Sequence, residues 1–191
     1  MEQAAAELSR PIGGQVMVFL RNIVLIGFTG VGKTAVGRRL AGRLGRPFVD
    51  TDREIEQLYG MKVSDIFRRY GEVRFRSEEA ILARKLAGQS GLVVATGGGL
   101  IVDPENGRLL RESGILIGLT ADLDTIHSRI RGKRDRPLLK GDHDLRSSLE
   151  KLRADRVGVY DVAEFTVETD GLSSWQVVER IVAYLNGGRE R

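Results

Sequence analysis

The chain has 191 residues, a formal net charge of +4 and no cysteine. That length suits one domain of about 150 residues with a small appendage, and 41% hydrophobic residues exclude a disordered chain. The missing cysteines exclude a disulfide framework, a thiolate metal site and a cysteine nucleophile, while 24 glycines ask where backbone has to approach something closely.

Residues 1–20 read as a flexible extension, with Gly13 and Gly14 as a loose lead-in. Glu2 and Glu7 spoil a basic leader, so the expectation is a cytoplasmic protein. No run of 18 apolar residues suggests a membrane span. The small basic excess, spread along the chain, argues against a nucleic-acid partner. Asn22–Gly27 is a short apolar, β-branched run and reads as a buried strand. Gly32–Leu44 reads as a helix with Val36, Leu40 and Leu44 on one face and Gly45 as its stop. A second strand is expected at Pro47–Asp50, then helices over Asp52–Tyr59, Val63–Tyr70 and about Glu72–Ala87. Leu92–Ala95 reads as a third strand, Pro104–Glu112 as helix, Gly114–Leu119 as a fourth strand and Leu123–Ile130 as helix. A basic loop follows, then a helix from Arg146 to about Tyr160, a fifth strand at Phe165–Thr169, and a closing helix from Ser173 to Leu185 capped by Ser173 or Ser174. Alternating strands and helices predict an α/β fold, a parallel sheet covered on both faces.

Gly27-Phe-Thr-Gly-Val-Gly-Lys-Thr34 fits the phosphate-binding pattern G-x-x-x-x-G-K-[ST], with a strand before it and a helix after. Backbone N–H groups along Gly30, Val31, Gly32, Lys33, Thr34 and Ala35 are expected to curl around phosphate oxygens at the helix N-terminus. Lys33 is expected to reach the β- and γ-phosphates and Thr34 to hold Mg²⁺. A nucleoside triphosphate with magnesium follows. The base-reading N-K-x-D string of a GTPase is absent. The D-x-x-G string from Asp155 to Gly158 falls late in the chain, inside a helical pattern, and reads as chance. Small-molecule and nucleotide kinases remain.

Asp50 and Asp52 follow the second strand, at the carboxyl edge of a parallel sheet. One carboxylate can face a metal and its waters and the other an acceptor hydroxyl; Asp52 can equally cap the helix that begins there. Arg76 and Glu79 are spaced to pair on a helix. Three glycines, Gly97–Gly99, at the end of the third strand imply backbone close to a ligand.

Taken together, these features resemble the shikimate kinase family of the aromatic amino-acid pathway, from about Asn22 to Leu185. The resemblance rests on the P-loop, on Phe48-Val-Asp-Thr-Asp52, on Phe75-Arg76 with Glu79, on Gly97–Gly99, and on Arg136-Pro-Leu-Leu139 followed by Arg156 and Tyr160. It implies a three-layer α/β/α P-loop kinase fold with a central five-stranded parallel sheet and a mobile lid. The single kinase domain would span 21–187, with an acceptor-binding region at about 50–80 and the lid at about 129–142. It implies transfer of the γ-phosphate of ATP to the 3-hydroxyl of shikimate with Mg²⁺. Asp52 would bind the acceptor hydroxyls and serve as base, and Asp50 would support magnesium through water. Arg76 and Arg156 would hold the acceptor carboxylate, and Gly97, Gly98 and Gly99 would line its pocket. Arg136 would reach the transferring phosphate, and Arg129 would lie against adenine.

A sugar-acid kinase of the gluconate type on the same scaffold is the nearest alternative; a nucleotide-binding regulator without catalysis is a more distant one. The Asp50-x-Asp52 pair, the triple glycine and Arg156 before Tyr160 favour the first reading, and a monomer is expected. His127, His143, Trp175, Met61 and Asp135 read as packing or surface residues.

Overall fold

The computed structural model describes residues 21–131 and 145–187. The expected extension over 1–20 and nearly all of the expected lid, with Gly132, Asp135, Arg136, Gly141 and His143, lie outside the described residues.

Among the described residues five strands form one parallel sheet in the order β2-β3-β1-β4-β5. β1 (Asn22–Gly27) is buried along its whole length. It lies between β3 (Val93–Ala95) and β4 (Gly114–Thr120), with Ile23 opposite both Val93 and Ile115. β2 (Phe48–Asp50) and β5 (Phe165–Glu168) form the edges. The alternation of side chains along β1 divides the core in two. Ile23 and Leu25 enter a cluster with Val36, Leu40, Ile126, Leu149, Val178 and Ile181 on one face of the sheet. Val24 and Ile26 enter the other, with Ile55, Ile66, Phe75, Leu86, Leu100 and Leu110.

The first face is covered by α1 (Lys33–Leu44), α5 (Leu123–Ile130), α6 (Leu145–Ala154) and α7 (Ser174–Leu185). The second is covered by α2 (Thr51–Tyr59), α3 (Val63–Ala87) and α4 (Pro104–Ser113), with a short 3₁₀ turn at Leu100–Val102 that the sequence pattern does not announce. The layers are therefore helix, sheet, helix, as the alternation requires. No helix among the described residues is long and apolar enough to cross a membrane.

Three local expectations change. The helices expected on either side of Gly71 run together as α3, broken only by Gly71 at φ 81 and ψ 168. The helix expected from Arg146 to Tyr160 ends at Ala154, after which backbone bonds run three residues back, from Arg156 to Arg153, Val157 to Ala154 and Val159 to Arg156. The Asp155–Gly158 string thus lies in successive turns, not in a helix, and Gly158 takes φ 77. Finally, α2 is capped by Asp50 and not by Asp52, its carboxylate accepting from Arg53 N–H at 3.3 Å. Asp52 falls in the first helical turn. The closing helix begins as expected, with Ser173 and Gln176 forming a reciprocal capping box.

Candidate active site

The strand order creates the cleft. From β1 the chain crosses past β3 to reach β2, and from β3 it crosses past β1 to reach β4. The connections leave these two neighbouring strands in opposite directions, and ligands of open α/β sheets bind at that switch, beyond the carboxyl ends. The P-loop follows β1 and Gly97–Gly99 follow β3, so both glycine clusters meet there.

In the P-loop, Gly27, Gly30 and Gly32 hold φ values of 137, 83 and 107, outside the range of other residues. A Cβ at Gly30 would sit 2.8 Å from Ile130 Cγ2, so α5 presses on the loop from behind. Lys33 is buried, 7% exposed, and its ammonium donates to the carbonyls of Gly27 and Phe28 at 2.7 and 2.8 Å. Its charge lies folded over the loop where phosphates would enter.

Thr34 Oγ1 donates to Asp50 Oδ2 at 2.7 Å. A hydroxyl that donates keeps lone pairs to coordinate a cation. A hydroxyl and a carboxylate, both hard oxygen donors in a partly open position, fit Mg²⁺, which retains several waters and needs few protein ligands.

Asp52 lies across from the triple glycine. A Cβ on Gly97 would collide with Asp52 Oδ1 and come 3.1 Å from Glu79 Oε1. The Gly97 N–H donates to the buried hydroxyl of Thr51 at 2.7 Å, which ties β3's exit to α2's first turn. The Gly98 carbonyl accepts from both Arg156 Nη1 and Tyr160 Oη at 2.7 Å. A Cβ on Gly98 would stand 3.2 Å from Thr29 N, so this strand end packs directly on the P-loop. A Cβ on Gly99 would strike the Arg76 guanidinium. Burial pushes the Tyr160 phenol up, against the pull of Arg156 and Arg76.

Arg76 is held on both sides. Nη1 meets Glu79 Oε2 at 2.6 Å, and Nη2 meets Glu72 at 2.8 Å. Burial lowers its pKa, but Glu79 and Glu72 outweigh that and hold it above the ordinary value. Glu79 is 1% exposed, so this pair is no surface ion pair, as spacing alone would allow. Burial pushes the Glu79 carboxyl up to about 7, against the pull of Arg76.

A cavity of about 300 Å³ opens on the other side of the P-loop. Gly30, Val31, Gly32, Ala35 and Arg129 line it, together with Thr169, Leu172, Ser174 and Val177, which sequence reasoning missed. Arg129 is anchored there, donating to Val31 O at 3.2 Å and to Thr169 Oγ1 and O at 2.8 Å each. The signal for the missed wall was its position: the loop after β5 leaves the same sheet edge as the P-loop. The structure thus brings together every described candidate residue, in two groups. Arg129 stands with the P-loop glycines at the cavity, and Asp52, Arg76, Gly97–Gly99 and Arg156 stand on the opposite side, with Lys33, Thr34 and Asp50 between. His127 lies on α5, Met61 packs beside the second core cluster, and Trp175 is half exposed.

The family model for shikimate kinase matches residues 29–186. The chain belongs to the shikimate kinase family. This kinase is 57% identical over 166 residues to the shikimate kinase of Pelotomaculum thermopropionicum, covering 87% of this chain and 96% of the relative. It is 46% identical to the shikimate kinase of Geobacter sulfurreducens over 165 residues, or 86% and 91% of the two chains. Among solved structures, a shikimate kinase from Acinetobacter baumannii in complex with shikimate superposes with a TM-score of 0.85. Its identity is 34%, over 93% of this chain and 99% of that one. A gluconokinase from Sinorhizobium meliloti, 21% identical with a TM-score of 0.57 over 88% and 93% of the chains, shares the fold alone.

Proposed function

We propose that this kinase transfers the γ-phosphate of ATP to the 3-hydroxyl of shikimate, giving ADP and shikimate 3-phosphate. The observation that carries the reading is the convergence of two guanidiniums, Arg76 and Arg156, with the Asp52 carboxylate around Gly97–Gly99, beside the P-loop. A small carboxylate bearing several hydroxyls asks for that set. Guanidinium forks suit a planar carboxylate, a carboxylate accepts from hydroxyls, and bare backbone allows close approach.

ATP lies along the P-loop, with its phosphates on the N–H groups of Gly30–Ala35 and adenine in the cavity beside Arg129. Lys33 leaves the Gly27 and Phe28 carbonyls to meet the β- and γ-phosphates. Thr34, and Asp50 through water, would hold Mg²⁺, which would supply neutralisation of phosphate charge. Asp52 orients the acceptor hydroxyl toward the γ-phosphate and takes its proton late, since phosphoryl transfer has a loose transition state that needs positioning more than a strong base. Arg136 from the lid at about 129–142 meets the transferring phosphate, and lid closure excludes water. The acceptor-binding region is about 50–80 of a single domain over 21–187. The kinase works as a cytoplasmic monomer, and the small charge excess supports a reading without a nucleic-acid partner.

ADP release measured in parallel with shikimate, with gluconate and without acceptor tests the assignment. Release should depend on shikimate. Release that ignores shikimate overturns the reading, and release driven by gluconate selects the sugar-acid alternative.

A further inference from the structure

Glu79 carries one carboxylate oxygen that serves nothing. Oε2 is bound to Arg76 at 2.6 Å, while Oε1 is buried with no hydrogen-bond partner. A buried acceptor without a donor is costly, and more so when it carries charge. Several charged groups face this carboxylate. Arg76 reaches it from its own helix, Asp52 faces it from α2 across the Gly97 backbone, and Arg156 acts on it from the turns after α6. Two cations therefore stabilise the anion while burial and Asp52 oppose it, and its carboxyl titrates at about 7.

That balance changes when a carboxylate ligand docks. Arg76 is engaged here by Glu79 on one edge and by Glu72 on the other. Glu72 is half exposed and can swing into water, whereas Glu79 is enclosed. The ligand's carboxylate would take the edge that Glu72 leaves. Arg76 would then serve two anions, and Glu79 would gain a negative neighbour a few ångströms away. A like charge at that range favours the neutral acid.

We propose that Glu79 takes up a proton as the acceptor's carboxylate docks on Arg76, so that acceptor binding is proton-coupled and weakens as pH rises. The proton comes from solvent and enters at Oε1, the oxygen that no group holds, and it returns to solvent when the product leaves. Coupling of this kind is linkage: the ligand binds more tightly to the protonated site, and by necessity protonation follows ligand. The proposal rests on Arg76 as the carboxylate clamp.

Calorimetric titration of the full chain with shikimate at pH 7.5, in phosphate and in Tris, measures protons taken up per ligand from the difference in buffer ionisation heat. The expected result is net uptake above zero and below one. Between the free and bound titrations Kd should rise with pH, by at most about tenfold per unit for one proton. Glu79→Gln should remove both effects. The methyl ester of shikimate, which keeps the hydroxyls and lacks the anion, should bind more weakly to the unmodified kinase with no uptake, a readout that does not depend on the variant folding. Zero uptake with shikimate, or undiminished uptake in folded Glu79→Gln, overturns the proposal. Equal affinity for the ester and for shikimate overturns the clamp reading beneath it instead.

Discussion

Thr34 and Asp50, sixteen positions apart in sequence, are joined by a 2.7 Å hydrogen bond from the threonine hydroxyl to the carboxylate. The same carboxylate caps α2 through the Arg53 N–H. One side chain thus serves the proposed metal position and the start of the helix that carries Asp52.

Asp50→Ala should therefore fail in two ways that separate experimentally. Loss of the cap should cost about 0.5–2 kcal/mol of stability, read as a lower midpoint in urea. Loss of the carboxylate proposed to hold a metal-bound water should raise the magnesium concentration needed for half-maximal turnover. Asp50→Asn keeps a capping oxygen, so it should recover most of the stability and little of the magnesium response.

Tyr160→Phe removes one of two donors to the Gly98 carbonyl and leaves Arg156 in place. The expected loss is about 1 kcal/mol. It should appear as a several-fold rise in KM for shikimate, with KM for ATP unchanged, in steady-state kinetics.

Two glycines should respond to alanine in opposite ways. At Gly27 the φ of 137 and the Leu119 carbonyl behind it leave no room, so Gly27→Ala should destabilise the whole sheet and lower the thermal midpoint by several degrees. At Gly97 the new methyl meets Asp52, a side chain that can turn away. Gly97→Ala should keep the fold and lower kcat by about 10²-fold, the usual effect of misplacing a reacting group by an ångström.

Arg129→Ala cuts three hydrogen bonds that tie the wall of the cavity to the P-loop. KM for ATP should rise about tenfold or more while the shikimate KM holds, since the groups proposed for the acceptor lie on the other side of the loop. Arg136→Ala should lower kcat by about 10²-fold or more with little change in shikimate binding, because its proposed partner is the transferring phosphate.

The stability of the unliganded kinase should also carry the mark of Glu79. Its pKa is raised in the folded state, so its contribution is fully present below about 4.5 and is lost as pH rises through about 7. The change is on the order of 3 kcal/mol. Urea midpoints should fall between pH 5 and pH 8, and Glu79→Gln should flatten that slope.

The contrast between what sequence revealed and what it concealed has a physical pattern. The strand at Asn22–Gly27 and the helix after it were legible because burial and periodicity are local, and Gly45 ended α1 with φ 64 where a helix stop was expected. The early end of α6 was not legible. Leu145, Leu149 and Leu152 keep a helical spacing that runs on toward Tyr160, but Arg156 and Tyr160 are drawn to the Gly98 carbonyl, and that pull across the sheet overrides the period. The choice of cap stayed open for a related reason. Asp50 and Asp52 stand equally well before a helix, and only the approach of the Arg53 N–H to the Asp50 carboxylate distinguishes them. Of the cavity, the P-loop side was visible in the motif. Thr169 and Leu172 belong to a loop with no motif at all and Ser174 opens the helix after it, and only the topology brings them there.

The division of the core by β1 bears on how such enzymes diversify. The helix after the P-loop and the walls of the cavity beside Arg129 rest on the face with Ile23 and Leu25, and the layer carrying Asp52 and Arg76 rests on the face with Val24 and Ile26. The two halves communicate through a single sheet of alternating side chains. A lineage can therefore rebuild the layer with Asp52 and Arg76 to accept a different alcohol while most of the other is inherited, Arg156 being the one proposed acceptor group that reaches across, and strand register, Leu25 beside Ala95, keeps the two glycine clusters side by side.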